Sequence, residues 1–288
     1  MTSVEEMRGF EFVADGTNDE LRTALAERLE AEVGWAEQFD EGFGSPDITY
    51  ERIAEAIGVY EEAQVFTDTP WRAYVKGDDQ AIGDDAKRGA LLFFSVPADG
   101  GFGCASCHVG DFFTDESFHA IAAPQIGRGK GDGSTGTNDF GRARETAEDD
   151  DRFAFRTPSL LNVSVTAPYF HSGAYDNLAD VIRHHLDPQR GLDDYDPASI
   201  PQAHSDDFDE NTQEMIDFLE VSGRGISTFR DPIDPSDEEV AELVAFLEAL
   251  TDPCVTDRAC LDPWVADPDT DDVDGHLLVA VDEDGNPL

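Results

Sequence analysis

Cys104 and Cys107 stand two residues apart, and His108 follows the second cysteine directly. Two thiols at that spacing can add to the two vinyl groups of one porphyrin, and the adjacent imidazole then lies under the iron as its proximal ligand. Cys104-Ala105-Ser106-Cys107-His108 therefore reads as the attachment signature of a c-type haem. Two other chemistries use a C-x-x-C pair. A thiol–disulfide redox pair prefers a βαβ context, and a zinc site needs a second Cys or His pair at close spacing. Neither accompanies the motif, so covalent haem is the expectation. The motif leaves open whether that haem does chemistry or only passes electrons.

A six-coordinate haem c takes a second axial ligand, usually Met or His. Methionine is scarce, with Met1, Met7 and Met215 only. Beyond His108 the imidazoles are His119, His171, His184, His185, His204 and His276. His184 and His185 fall on an expected helix, where neighbours point about 100° apart, so at most one of them faces the iron. Cys254 and Cys260 have no histidine beside them. In an oxidising compartment they are expected to close a small loop as a local disulfide, the alternative being two buried free thiols.

The elements that must position these residues are mainly helical. Leu21, Leu25, Leu29 and Val33 recur at helical spacing behind an acidic start at Asp19-Glu20. After a break at Gly42–Asp47, Thr49 opens a second helix carrying Ile53, Ala54, Ile57 and Tyr60 on one face. Trp71 and Tyr74 read as a short linker, and a helix around Ala86–Phe94 leads through a Gly-rich turn into the haem motif. From Gly127 to Asp151 apolar residues almost vanish, which reads as a long surface loop. Further helices are expected over Asn177–Leu186 and Thr212–Glu220, and from Ser236. There Ser236 and Glu239 form a capping box ahead of the stripe Val240, Leu243, Val244 and Leu247. A strand is expected at Leu277–Val281.

The chain has 288 residues, 40% of them hydrophobic, enough for one large domain or two small ones. Its 64 acidic residues against 19 basic ones give a net charge of −45. Such a surface cannot neutralise phosphates, which excludes nucleic acid as a partner. The dispersed acidity reads as a hydrated surface of the kind found in salty habitats, with a docking face for a basic electron carrier as the sharper reading. No apolar run reaches the roughly 18 to 20 residues of a membrane span. Met1–Glu6 shows no basic or apolar signal-peptide region. Haem c is nevertheless attached outside the cytoplasm. The expectation is therefore a periplasmic or otherwise extracytoplasmic protein, seen as an incomplete copy or with its export signal removed.

Several segments together resemble the bacterial di-haem cytochrome c peroxidase and MauG family. They are Thr157–Val163, Thr166-Ala167-Pro168-Tyr169-Phe170-His171-Ser172-Gly173, Lys87-Arg88-Gly89 ahead of the haem motif, and the Thr49–Ile57 helix. The resemblance covers roughly Glu5 to Leu250. It implies a mainly α fold, a cytochrome c-like haem domain with long loops, divided as follows. Residues 1–45 would be the remnant of the end of an N-terminal haem domain, 46–82 a helix and linker, 83–252 the haem domain, and 253–288 an acidic tail with the disulfide.

The resemblance further implies that this haem is the electron-accepting one, in an oxidoreductase that passes electrons toward hydrogen peroxide reduction. Relatives carry the distal ligand, Met or Tyr, fourteen residues after the histidine matching His171; here that position is His185. A calcium ion would be bound partly by the backbone carbonyls of Thr166 and Pro168. Glu6, followed by Met7, matches the catalytic acid/base glutamate. The family's peroxide-reducing haem and its inter-haem tryptophan have no counterpart, and Trp71 reads as a packing residue. Expected partners are a small electron donor (a cytochrome c or a cupredoxin), possible pairing with a second haem-bearing chain, and a possible homodimer. The alternatives are a free-standing mono-haem electron carrier and a mono-haem enzyme whose distal site opens to peroxide.

Overall fold

The computed structural model describes residues 17–266 apart from residue 128 and residues 201–205. Glu6, Met7, His204, His276 and the strand expected at 277–281 lie outside the described residues. The chain divides into two compact units, Met1–Val65 with Thr256–Leu288, and Phe66–Val255. The boundary falls inside the 46–82 segment, so the residues just ahead of the haem domain group with it.

In the first unit, α1 (Asn18–Ala31) starts at a capping box in which Thr17 and Glu20 each satisfy the other's backbone N–H. Leu21 is sealed at 1% exposure. Val33 lies past the end of α1 and is 83% exposed, which removes it from the expected stripe. Next, α2 (Trp35–Phe43) buries Phe39 and stops at left-handed Gly44, and α3 (Tyr50–Ala63) is capped by Thr49. The apolar face expected on α3 is present but not buried, with Ile57 and Tyr60 more than half exposed.

The second unit holds the haem motif. Trp71 and Tyr74 sit on a helix, α4 (Pro70–Val75), rather than in a linker, because Thr69 caps it and Pro70 occupies its first turn. Trp71 meets Phe246 edge-on at 5.0 Å, a packing role. The helix ahead of the motif, α5 (Asp84–Phe94), buries Ala86, Gly89, Ala90 and Phe93 on one face. Two short strands, β1 (Phe118–His119) and β2 (Phe155–Arg156), pair antiparallel, with a single helical turn, α6 (Ala143–Thr146), between them. Beyond these come α7 (Leu178–Leu186), capped by Asn177, and α8 (Pro188–Asp193). Then follow α9 (Phe208–Ser222) and α10 (Asp237–Glu248), the latter opened by the Ser236–Glu239 capping box.

The most extensive helix contact is α5 against α10, and α10 also packs on α7. Gly89 makes the crossing possible: a Cβ there would lie 2.5 Å from the carbonyl carbon of Glu242 and 2.9 Å from the Cβ of Phe246. Phe93, Phe113, Ile182, Leu243, Phe246 and Leu250 fill the core between these helices. Full burial of one such side chain contributes roughly 1.5–3 kcal/mol. Arg88, beside the glycine, bonds the nearly buried Glu242 across the same crossing.

The segment from Gly127 to Asp151 is irregular as expected, but it is not all surface. Asn138 is fully buried, and Glu214 of α9 accepts bonds from its Nδ2 and from the Ser134 N–H, both at 3.0 Å. Thr135 donates to Asn211 at 2.6 Å. A stretch this poor in apolar residues cannot anchor itself by hydrophobic burial, and polar side chains of α9 do the work instead. Cys254 and Cys260 are joined as a disulfide, Cys260 lying on the single helical turn α11 (Arg258–Leu261).

Candidate haem site

Helix α5 ends at Ser95, and Gly100 and Gly103 turn the chain in left-handed conformations into a 3₁₀ turn, Cys104–Ser106. That turn places Cys104 against the main core and leaves Cys107 and His108 half-buried. Burial pushes the Cys104 thiol up to about 12 and raises Cys107 as well. Redox C-x-x-C pairs work as thiolates with lowered pKa values. Burial does not activate these thiols as a redox pair requires, and among the described residues there is no βαβ context, the sheet being two strands of two residues each.

His108 Nδ1 donates to the carbonyl oxygen of Phe113 at 3.0 Å, which fixes the tautomer that leaves Nε2 as a ligand atom. Burial lowers the pKa of this imidazole, against an opposing pull from the Phe113 carbonyl. It is held neutral, as a metal ligand must be.

The other described histidines can be assigned one by one. His119 Nε2 pairs with Asp115 Oδ2 at 2.8 Å. His171 lies flat on Phe155, with ring centres 3.5 Å apart and planes within 8°. His184 has both nitrogens engaged, Nδ1 with the Tyr175 hydroxyl at 3.0 Å and Nε2 with the Ile121 carbonyl at 2.9 Å. His185 uses only Nδ1, which donates to the Val181 carbonyl one turn back at 2.8 Å. Burial pushes its pKa down to about 4. The side chain is largely but not completely buried. His108 and His185 thus match each other: two imidazoles lowered by burial, each tied at Nδ1 to a backbone carbonyl.

Among the described residues no thioether lies in this neighbourhood. Met215, the one described methionine, is fully buried in a separate cluster with Phe153 and Leu219. The donor set of Cys104, Cys107, His108 and His185 fits a covalently bound haem c with two histidine ligands. When bound, that haem supplies reversible one-electron chemistry at iron. Thr166 and Pro168 are exposed on the turn after Val163–Val165. Their two carbonyls would supply part of the six to eight oxygens a calcium ion takes.

Sequence reasoning passed over Asp115 and His119, whose ligand atoms come within 4.8 Å of the Cys107 sulfur. The i, i+4 spacing of an acid and a histidine just after the motif was the available signal. The sulfur is the one the haem motif claims, so the pair belongs to the rim of this site. Burial raises the Asp115 carboxyl, but bonds from His119, the Ser117 N–H and Thr157 outweigh it and leave the group lowered. The surface concavities lined by Asp19–Glu27 and by Pro70 with Ala81–Ala86 include none of the haem-site residues.

A family model described as di-haem cytochrome c peroxidase matches residues 1–80. The methylamine utilization protein MauG of Methylorubrum extorquens is 32% identical over 210 residues, covering 70% of this chain and 54% of that protein. Cytochrome c551 peroxidase of Pseudomonas aeruginosa is 34% identical over 140 residues, 48% of this chain and 37% of that protein. The chain therefore spans about half, or less, of these relatives. Among solved structures, a MauG-like protein associated with microbial copper homeostasis superposes with TM-score 0.59 at 25% identity, over 91% of this chain and 72% of that one. A variant of the diheme peroxidase BthA from Burkholderia thailandensis gives 0.57 at 26% identity, over 86% and 62%. By sequence and by fold, this haem c chain is a relative of the di-haem cytochrome c peroxidases and MauG proteins.

Proposed function

We propose that this chain is the electron-transfer haem c part of a di-haem cytochrome c peroxidase-like oxidoreductase, handing electrons to a second haem where hydrogen peroxide is reduced. The observation that carries the reading is the pair His108 and His185. A haem clamped by two protein imidazoles has no open position for peroxide and is suited to passing electrons. The sequence contributes one C-x-x-C-H, so one covalent haem is assigned here and the peroxide-reducing haem to a further domain or chain.

Val109 and Phe112, just after His108, are 49% and 61% exposed. An apolar rim beside the motif suits transient docking of a small cytochrome c or cupredoxin. Among the described residues no helix is long and apolar enough to cross a membrane, and covalent haem together with a disulfide fits the periplasm. Glu6 is assigned the acid/base role in breaking the O–O bond at the second haem. Calcium is left out of the assignment.

The test is the ferric spectrum of the haem-loaded chain together with its peroxide turnover. The expected result is a low-spin, two-histidine spectrum that becomes high-spin in His185→Ala, with weak or no turnover by the chain alone. A five-coordinate wild-type spectrum with brisk turnover would overturn the reading.

A further inference from the structure

His184 and His185 are adjacent imidazoles on the last turn of α7, and an iron opposite His108 could in principle recruit either. The protein commits one of them elsewhere. The Tyr175 hydroxyl meets His184 Nδ1 at 3.0 Å, and His184 Nε2 meets the Ile121 carbonyl at 2.9 Å. A carbonyl can only accept, so Nε2 carries the proton and Nδ1 accepts from the tyrosine. His184 is 1% exposed. Freeing it would strip the buried imidazole of both its bonds and the Ile121 carbonyl of this donor, leaving the Tyr175 hydroxyl only the longer bond to the Gly191 carbonyl at 3.4 Å.

Two further contacts close the arrangement. Gly191 of α8 lies against the imidazole, so that an added Cβ would stand 2.5 Å from Nδ1 and 3.0 Å from Cγ of His184. The Phe170 ring touches both histidines, at 5.1 Å from His184 and 5.3 Å from His185. With His184 held on one side of α7, His185 must point about 100° away around the same turn.

We propose that the chain Ile121–His184–Tyr175, closed off by Gly191, is a ligand-selecting lock that withholds His184 from the haem iron and sets the orientation of His185. Tyr175, His184 and Gly191 are then positioning residues, since none touches the iron. The inference rests on the assignment of His185 as distal ligand. It goes further in saying why that histidine, and not its neighbour, takes the iron, and in giving roles to residues that the haem motif does not include.

The test uses the haem-loaded full chain and its ferric electron paramagnetic resonance spectrum. In that spectrum the largest g value reports ligand identity and the angle between the two imidazole planes. Tyr175→Phe removes a hydroxyl and keeps the ring, so it is expected to fold. It should shift the largest g value and split it into two populations, one for each setting of the α7 end. Gly191→Ala should do the same by crowding His184. His185→Ala should lose the low-spin signal, because His184 stays locked.

A wild type with two histidine ligands whose Tyr175→Phe spectrum superimposes on its own would overturn the lock alone. Retention of a two-histidine low-spin spectrum in His185→Ala would also overturn it. A wild type lacking a second histidine ligand would overturn both the lock and the assignment beneath it. Where Gly191→Ala does not fold, Tyr175→Phe decides.

Discussion

Gly89→Ala tests the crossing that joins the two halves of the haem site, because α5 leads into the cysteines and α10 supports α7 and its histidine. Two effects compete. Alanine is the better helix former by about 1 kcal/mol, so the substitution stabilises a helix with open space beside it. Here the new methyl would fall on the Glu242 backbone, 2.5 Å from its carbonyl carbon and 2.9 Å from the Phe246 Cβ. Ordinary contacts lie nearer 3.5–4 Å, and the obstacle is main chain that cannot rotate aside. The helices must separate, loosening Phe93 and Phe246, which are 2% and 0% exposed. Overpacking costs about 1–3 kcal/mol, and more where nothing can yield. Taking about 3–4 kcal/mol against the gain of about 1 leaves a net loss of about 2–3 kcal/mol.

Urea unfolding followed by circular dichroism measures the difference. Gly58→Ala in α3, where nothing lies within 4 Å of the added carbon, is the control and should not destabilise. Equal or greater stability in Gly89→Ala would refute the close-crossing argument.

Other perturbations probe the surroundings of the site. Asn177→Ala removes the side chain that accepts the Asp180 N–H at 2.9 Å; it should cost about 1 kcal/mol in unfolding measurements and fray the helix that carries His185. Asp115→Asn should cost about 1 kcal/mol at neutral pH. The Asp115 carboxyl is lowered in the folded chain, so its contribution is present above the ordinary carboxylate pKa and fades as pH falls through the lowered one; the stability difference should vanish in strong acid. Replacing both Cys254 and Cys260 by serine opens a closed loop of seven residues, Cys254 through Cys260. By loop entropy this should cost about 2 kcal/mol, read by thermal unfolding under non-reducing conditions. Ser236→Ala should remove about 1 kcal/mol through loss of the hydroxyl that accepts the Glu239 N–H and donates to its carboxylate at the start of α10.

The parts of the site legible in sequence were those whose chemistry is fixed by local spacing. The C-x-x-C-H motif, the Ser236–Glu239 box and the α7 helix all rest on residues a few positions apart, and the structure realises them. Choosing between His184 and His185 needed more than spacing. The partners that commit His184, Tyr175 and the Ile121 carbonyl, are nine and 63 residues away. The segment from Gly127 to Asp151 misled for a related reason. Its composition correctly denied it a hydrophobic anchor, but Asn138 is buried by hydrogen bonds to α9, some 76 residues further on. On α3 the opposite occurred: Ile57 and Tyr60 form the apolar stripe that periodicity requires, yet periodicity does not supply a surface to cover it.

The sealed position of Met215 has a consequence for durability. In the proposed role the chain would work beside peroxide, an oxidant that converts exposed thioethers to sulfoxides, turning a soft apolar side chain polar. Met215 shows no accessible surface and is the one methionine among the described residues. With Cys254 and Cys260 already oxidised to a disulfide and Cys104 and Cys107 claimed by the haem, this part of the chain offers peroxide almost no sulfur to damage.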